Sequence, residues 1–277
     1  SSNPRIVFSP PGIRGMARNA PCGHFKSDAE CAHALGKLEE EPCEQIRKAC
    51  APDPALFRRL AKPRRGDWLA EHQETGQMFT SYRRKMDKSR RPSKCGHTIL
   101  LVPLGKSFGE GVAALFLPHI IAYCRAFFAG MEVEVLIKPL SLKDVSRREN
   151  SFEDRQYIIS ELFEMLNTHK DVRKHPAALR AYCRLGVTME DIYPGEDWEY
   201  VYGQAKPLER VGVFSFARHS PLFYQGVHAS DAFAHLSARE LVSWLRACLR
   251  TMVHETGHML GLLHCVYYQC LMNGSNG

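Results

Sequence analysis

The stretch SARELVSWLRACLRTMVHETGHMLGLLHC, residues 237–265, constrains the architecture of this chain more than any other part. Ser237 with Glu240 three residues later is a capping box, in which each side chain satisfies a backbone donor of the first turn. Leu241, Leu245, Cys248, Leu249 and Met252 then recur on one face, which predicts an amphipathic helix laid on a core. Gly261 stops it, because glycine accepts the left-handed backbone that closes a helix. His254 and His258 stand four apart on the last two turns, on one face and roughly 5–6 Å from each other. Two imidazoles so placed can converge on one zinc ion at Zn–N distances of about 2.0–2.1 Å. Glu255 lies about 100° further round. It is too far round to be the obvious third ligand, but it can reach a water on the open side of the metal. Beyond Gly261 the chain can reverse and bring His264 back to the metal. Three neutral nitrogens leave zinc its charge and an open position, so a water held there has its pKa lowered to about 7. Glu255 has no structural role in this pattern, and a structural site would be closed by a fourth protein ligand. The spacing H-E-x-x-H-x-x-G-x-x-H therefore predicts an open, hydrolytic zinc site.

The rest of the chain sets what surrounds that helix. Its 277 residues suit one large domain, or one domain with an appended region, and 44% hydrophobic content suffices for a core. The formal charge of +7 is concentrated in two short runs, KPRRG at 62–66 and YRRKMDKSRRPSK at 82–94. Both read as solvated linker beside prolines, and no aromatic-interleaved motif of a nucleic-acid module accompanies them, so a nucleic-acid partner is not expected. The 10 cysteines lack the regular spacing of a disulfide scaffold. The first residues, SSNPRIVFSPPGIRGMARNAP, contain no continuous apolar core and so no secretory signal; they do not begin with methionine, so a true start elsewhere is expected. The most apolar segment, 112–130, is interrupted by Pro118, His119 and Arg125, which makes it a poor membrane span. These features predict an intracellular protein, cytoplasmic or nuclear, with no membrane partner; oligomeric state is not indicated.

Along the chain, residues 1–50 are rich in proline, glycine and charge and predict loops or disorder. Cys22-x-His24 and Cys31-x-His33 form a repeated pair there, but the spacing matches no common zinc finger. Local order is expected over 51–80 around Leu56, Phe57, Leu60, Trp68 and Leu69. HTILLVPL at 97–104 predicts a buried strand, and 112–129 a helix kinked at Pro118 or starting there. MEVEVLIKPL at 131–140 alternates like a strand. Tyr157, Ile158, Leu162, Met165 and Leu166 fall at helical spacing over 152–169. ALRAYCRLGVT, EYVYGQA and ERVGVFSFAR predict further strands. Alternating strands and helices followed by a strand cluster predict an α/β fold, with 1–94 as a variable, partly disordered N-terminal region with a basic linker and 95–277 as the catalytic domain.

HETGHMLGLLHC at 254–265 resembles the long zinc-binding signature of the metzincin peptidases, and the cysteine directly after the third histidine resembles the archaemetzincin branch. The branch pattern continues through Cys270 and Met272, and GVTMEDIYP, DWEYVYGQA, VGVFSFAR and, more weakly, GDWL at 66–69 are similar to segments of animal archaemetzincins. The resemblance implies a twisted mixed sheet with packed helices and a short C-terminal subdomain. It implies that His254, His258 and His264 ligate a catalytic zinc, that Glu255 is the general base, and that Met272 forms a Met-turn beneath the metal. It implies a zinc metallopeptidase, aminopeptidase-like on small peptides. An endopeptidase of the same mechanism and a non-catalytic zinc-stabilised binding protein are the alternatives. In archaemetzincins Cys265 and Cys270 correspond to half of a four-cysteine zinc site whose other half lies downstream. Here no such pair follows, so the chain is expected to be truncated and the second zinc is in doubt: the thiols could bind metal weakly, recruit another cysteine or stay unligated. VGVFSFAR at 211–218 is expected to be a sheet-edge strand that holds substrate, and His219, His228 and His235 to be ordinary solvated loop residues.

Overall fold

The computed structural model describes residues 26–35, 58–89, 96–109, 112–152 and 155–274. Cys22, His24, Leu56 and Phe57 lie outside the described residues. The chain divides into two compact units. In described residues these are 96–260, and a unit that joins 26–35 and 58–89 to 261–274.

The larger unit is α/β. A five-stranded sheet is built from β1 (Thr98–Leu104), β2 (Glu132–Val135), β5 (Ala181–Thr188), β7 (Gly203–Lys206) and β8 (Val211–Ser215), in the order β2-β1-β5-β8-β7. A smaller sheet comprises β3 (Arg147–Glu149), β4 (Arg155–Ile158) and β6 (Asp191–Tyr193), in the order β3-β4-β6. In the large sheet every pairing is parallel except that of β7 with β8. All seven residues of TILLVPL are buried, the continuous apolar run expected of a strand covered on both faces. Leu100, Val102 and Leu104 share a core with Ile159, Leu162, Phe163 and Leu166 of α2 (Ile159–Thr168) and with Val211 and Val213. By the two-residue period of a strand, Ile99 and Leu101 point to the opposite face. Helix α1 (Phe116–Phe127) packs on α3 (Ala238–Met259), with Phe116 edge-on to Trp244 at 5.4 Å.

Several expectations need correction. VGVFSFAR does not form a sheet edge: β8 is flanked by β5 and β7, and its five residues are all buried. The edges are β2 and the antiparallel β7, and of β7 the sequence pattern showed only EYVYGQA as a general strand. Residues 155–158 are strand rather than the start of a helix, because pairing with β3 and β6 satisfies their backbone on both sides. Pro118 sits within the first turn of α1, which begins at Phe116, close to the start expected from proline's fit to a first turn.

In the smaller unit, part of the basic run forms a helix, Phe79–Ser89, rather than a linker, with Met86 buried. Asp28–Leu35 is likewise helical where loops were expected; it buries Cys31 and Ala34 and leaves His33 exposed, so Cys31 and His33 do not face one target. Cys31 and Ala34 join a core with Val266, Tyr267 and Tyr268. Backbone bonds Leu60 N–H to Tyr267 O (3.1 Å) and Gln269 N–H to Arg58 O (2.7 Å) stitch the early segment to the late one. No helix among the described residues is long and apolar enough to cross a membrane.

Candidate metal centre

Helix α3 is seated at both ends. Ser237 and Glu240 form the capping box predicted from their spacing. Trp244, 2% exposed, donates its indole N–H to Phe216 O at 2.8 Å, and the Tyr182 hydroxyl donates to Met259 O at 3.3 Å. Gly212 makes room for the helix: a Cβ there would stand 3.0 Å from Met259 Cε and 2.6 Å from the Phe214 ring. Gly212 pairs with Ala205 of β7, so the last turn of α3 lies beside the open edge of the sheet.

On that last stretch His254 and His258 are half-buried, with their rings crossed at 87° and their Nε2 atoms 3.1 Å apart. Two nitrogens bound to one tetrahedral zinc at about 2.0–2.1 Å would stand roughly 3.3 Å apart, so this donor pair fits such an ion. Glu255 is 7% exposed, with Oε1 4.0 Å from His254 Nε2. Burial pushes its carboxyl up to about 8.

His264 belongs to the smaller unit. It follows Gly261, whose φ of 86° is the left-handed stop expected there, and its ring is 6% exposed. His264 Nδ1 lies 2.8 Å from Glu74 Oε1, and Trp68 Nε1 donates to the same oxygen at 3.0 Å. Burial pulls the Glu74 carboxyl up, but hydrogen bonds and charge from His264, with Trp68 and His72, outweigh it and hold it below the usual carboxylate value. The larger unit thus presents two imidazoles, His254 and His258, and the smaller unit one, His264; imidazole nitrogen is a donor that suits zinc.

No protein-family model matches the chain. Archaemetzincin-2 of Rattus norvegicus is 33% identical over 261 residues, which cover 87% of this chain and 69% of that protein. The chain belongs to the archaemetzincin family. Human archaemetzincin-2 is 32% identical to this archaemetzincin, with the same 87% and 69% coverage. Mouse archaemetzincin-1 is 28% identical, over 83% of this chain and 48% of its own length. The crystal structure of archaemetzincin from Methanopyrus kandleri is 21% identical with a TM-score of 0.44, covering 68% of this chain and 86% of that one.

In this archaemetzincin the cysteine pair is half of nothing larger among the described residues. The Cys270 thiol donates to the Cys265 sulfur, which pulls Cys265 down to about 6 and pushes Cys270 well up, and the two belong to no group of three or more metal-ligating side chains. Their loop is closed by Asn273, whose side-chain amide donates to Cys265 O and Tyr268 O at 2.8 Å each while its carbonyl oxygen accepts from Cys270 N at 2.8 Å. Met272 is half-buried and its carbonyl accepts from Cys265 N at 2.7 Å.

His219 is not a solvated loop residue. It stacks on Tyr202 at 4.3 Å, its Nε2 lies 3.0 Å from Thr251 Oγ1 on α3, and burial lowers its pKa to about 4. His228 caps the short helix Ala229–Ala232 and faces Glu190 at 3.4 Å, whereas His235 is exposed as expected. Sequence reasoning also missed Arg218, which anchors the loop between β8 and α3. Its guanidinium donates to both oxygens of the buried Asp191, at 2.8 and 2.7 Å, and lies 3.6 Å over the Tyr200 ring. No local signal marks such a pair, because the partners stand 27 residues apart.

Proposed function

We propose that this archaemetzincin is a zinc metallopeptidase that hydrolyses peptide bonds, with His254, His258 and His264 as the zinc ligands. The observation that carries the reading is the end of α3, where two imidazole nitrogens stand 3.1 Å apart and a buried carboxylate lies 4.0 Å from one of them. Zinc held there supplies a Lewis acid for the scissile carbonyl and makes water a nucleophile at neutral pH.

Glu255 is the general base: it takes the proton of the attacking water and passes it to the leaving amine. The edge strand β7 binds the peptide as an added strand through backbone hydrogen bonds, beside the last turn of α3. Met272 forms the floor beneath the metal, as the archaemetzincin pattern implies, and its half-burial is compatible with that place. Aminopeptidase-like specificity for small peptides is supported by the family resemblance alone.

The test is metal analysis followed by peptide digestion. The reading expects one zinc per chain and cleavage that a chelator stops and added zinc restores. Peptides with free and acetylated N-termini then separate the aminopeptidase from the endopeptidase, which cuts both. Zinc lost together with thermal stability, and no cleavage of any peptide, would leave a zinc-stabilised binding protein.

A further inference from the structure

The third histidine is held by a short strap far from it in sequence. Glu74 Oε1 lies 2.8 Å from His264 Nδ1. Gln77 grips the preceding turn from both sides: its Nε2 donates to Gly261 O at 3.0 Å and its Oε1 accepts from Leu263 N at 3.3 Å. Between them Gly76 has a φ of 76°, and a Cβ there would stand 2.5 Å from Val266 Cγ2, so the strap lies against the segment that carries His264 as closely as a backbone can. Trp68 backs the arrangement, edge-on to the His264 ring at 5.3 Å and 85°.

We infer that the strap Glu74–Gln77 is the positioning element of the third zinc ligand, and that Glu74 selects its tautomer. Oε1 of Glu74 accepts from the Trp68 indole, so it is the acceptor toward His264 as well. The imidazole proton then sits on Nδ1 and the lone pair on Nε2. A carboxylate on the far side of a ligating imidazole fixes the ring and raises the basicity of the other nitrogen. The carboxylate is an expensive way to hold a turn: Glu74 Oε2 is buried with no hydrogen-bond partner. Glu74 is a positioning residue, because it acts through His264. This inference rests on the zinc reading of the preceding section, and the control below separates the two.

The experiment compares parent, E74Q, E74L and H264A by chelator competition for zinc, by the visible spectrum of the cobalt-substituted protein and by melting of the metal-free chains. E74Q preserves shape and an acceptor but removes the charge. It is expected to weaken zinc roughly 10-fold, and E74L by up to about 100-fold, with altered cobalt bands and, for E74Q, only a small drop in the melting temperature of the metal-free chain. Parent-like zinc affinity and cobalt spectra in both Glu74 variants, with H264A losing zinc, would overturn the inference alone. Unchanged zinc affinity in H264A would instead overturn the ligand assignment on which it stands. A metal-free E74Q that melts well below the parent, with unchanged affinity for zinc when folded, would make Glu74 a structural residue and overturn the inference too.

Discussion

The histidines of the candidate centre are placed by opposite means. His254 and His258 owe their arrangement to helix geometry: a four-residue step, a capping box and an apolar face fix them together, and only the seating of α3 remains for tertiary structure. His264 sits in a turn, and what orients it is a strap 190 residues earlier in the chain. A local device is legible in sequence and tolerates change elsewhere; a clamp made of distant segments is neither.

Substitutions at the two places sharpen this contrast. The largest expected effect is on the helix, where E255Q keeps the shape and the zinc but removes the base. Peptide hydrolysis should fall about 100- to 10,000-fold with metal content unchanged, as measured by turnover and zinc analysis of the same preparation. Equal rates for variant and parent would end the general-base assignment.

Unseating the helix comes next. W244A deletes a side chain packed against Phe116 and Phe233 and the bond to Phe216 O, and should cost about 3–5 kcal/mol in urea unfolding. A loss below about 1 kcal/mol would mean that the capped helix needs little support from α1 and the loop after β8.

The helix side should also carry an acid sensitivity. His219 has a folded pKa near 4 against about 6.5 when unfolded. Below pH 6.5 the unfolded chain takes up a proton that the folded one refuses, so stability is full above that pH and falls progressively toward pH 4. The whole effect is about 3 kcal/mol, and H219Q should flatten this part of the stability–pH curve. An unchanged slope between pH 7 and 4.5 in H219Q would show that other groups set it.

The smallest effect is on the strap. G76A forces a side chain into a left-handed conformation against Val266, at a cost of about 2 kcal/mol, and should loosen zinc while leaving the helix signal in circular dichroism intact. If zinc affinity holds in G76A, the strap is not what orients His264.

What could be read in the sequence follows the same division. The capping box and the stop at Gly261 announce themselves within a few residues because each satisfies its backbone locally, and β1 does so because its unbroken apolar run calls for burial on both faces. Arg155–Ile158 misled because Tyr157 and Ile158 happen to continue the spacing of Leu162 and Leu166, and only pairing with β3 and β6 makes them strand. The helix at Phe79–Ser89 was hidden by its charge, although Phe79, Tyr82 and Met86 keep helical spacing beneath the basic residues. The edge position of β7 is a property of strand order, which no single segment encodes. Glu74 and Gln77 carried no signal, since a lone acid and a lone amide in a polar stretch acquire meaning only when the late segment folds onto them.

X-ray absorption at the zinc edge of the purified, zinc-loaded protein tests the central claim most directly. The account predicts nitrogen and oxygen neighbours alone at about 2.0–2.1 Å, with the outer-shell pattern of three imidazoles that drops to two in H264A. Sulfur neighbours at about 2.3 Å, which would put the metal on Cys265 and Cys270 instead, would contradict it.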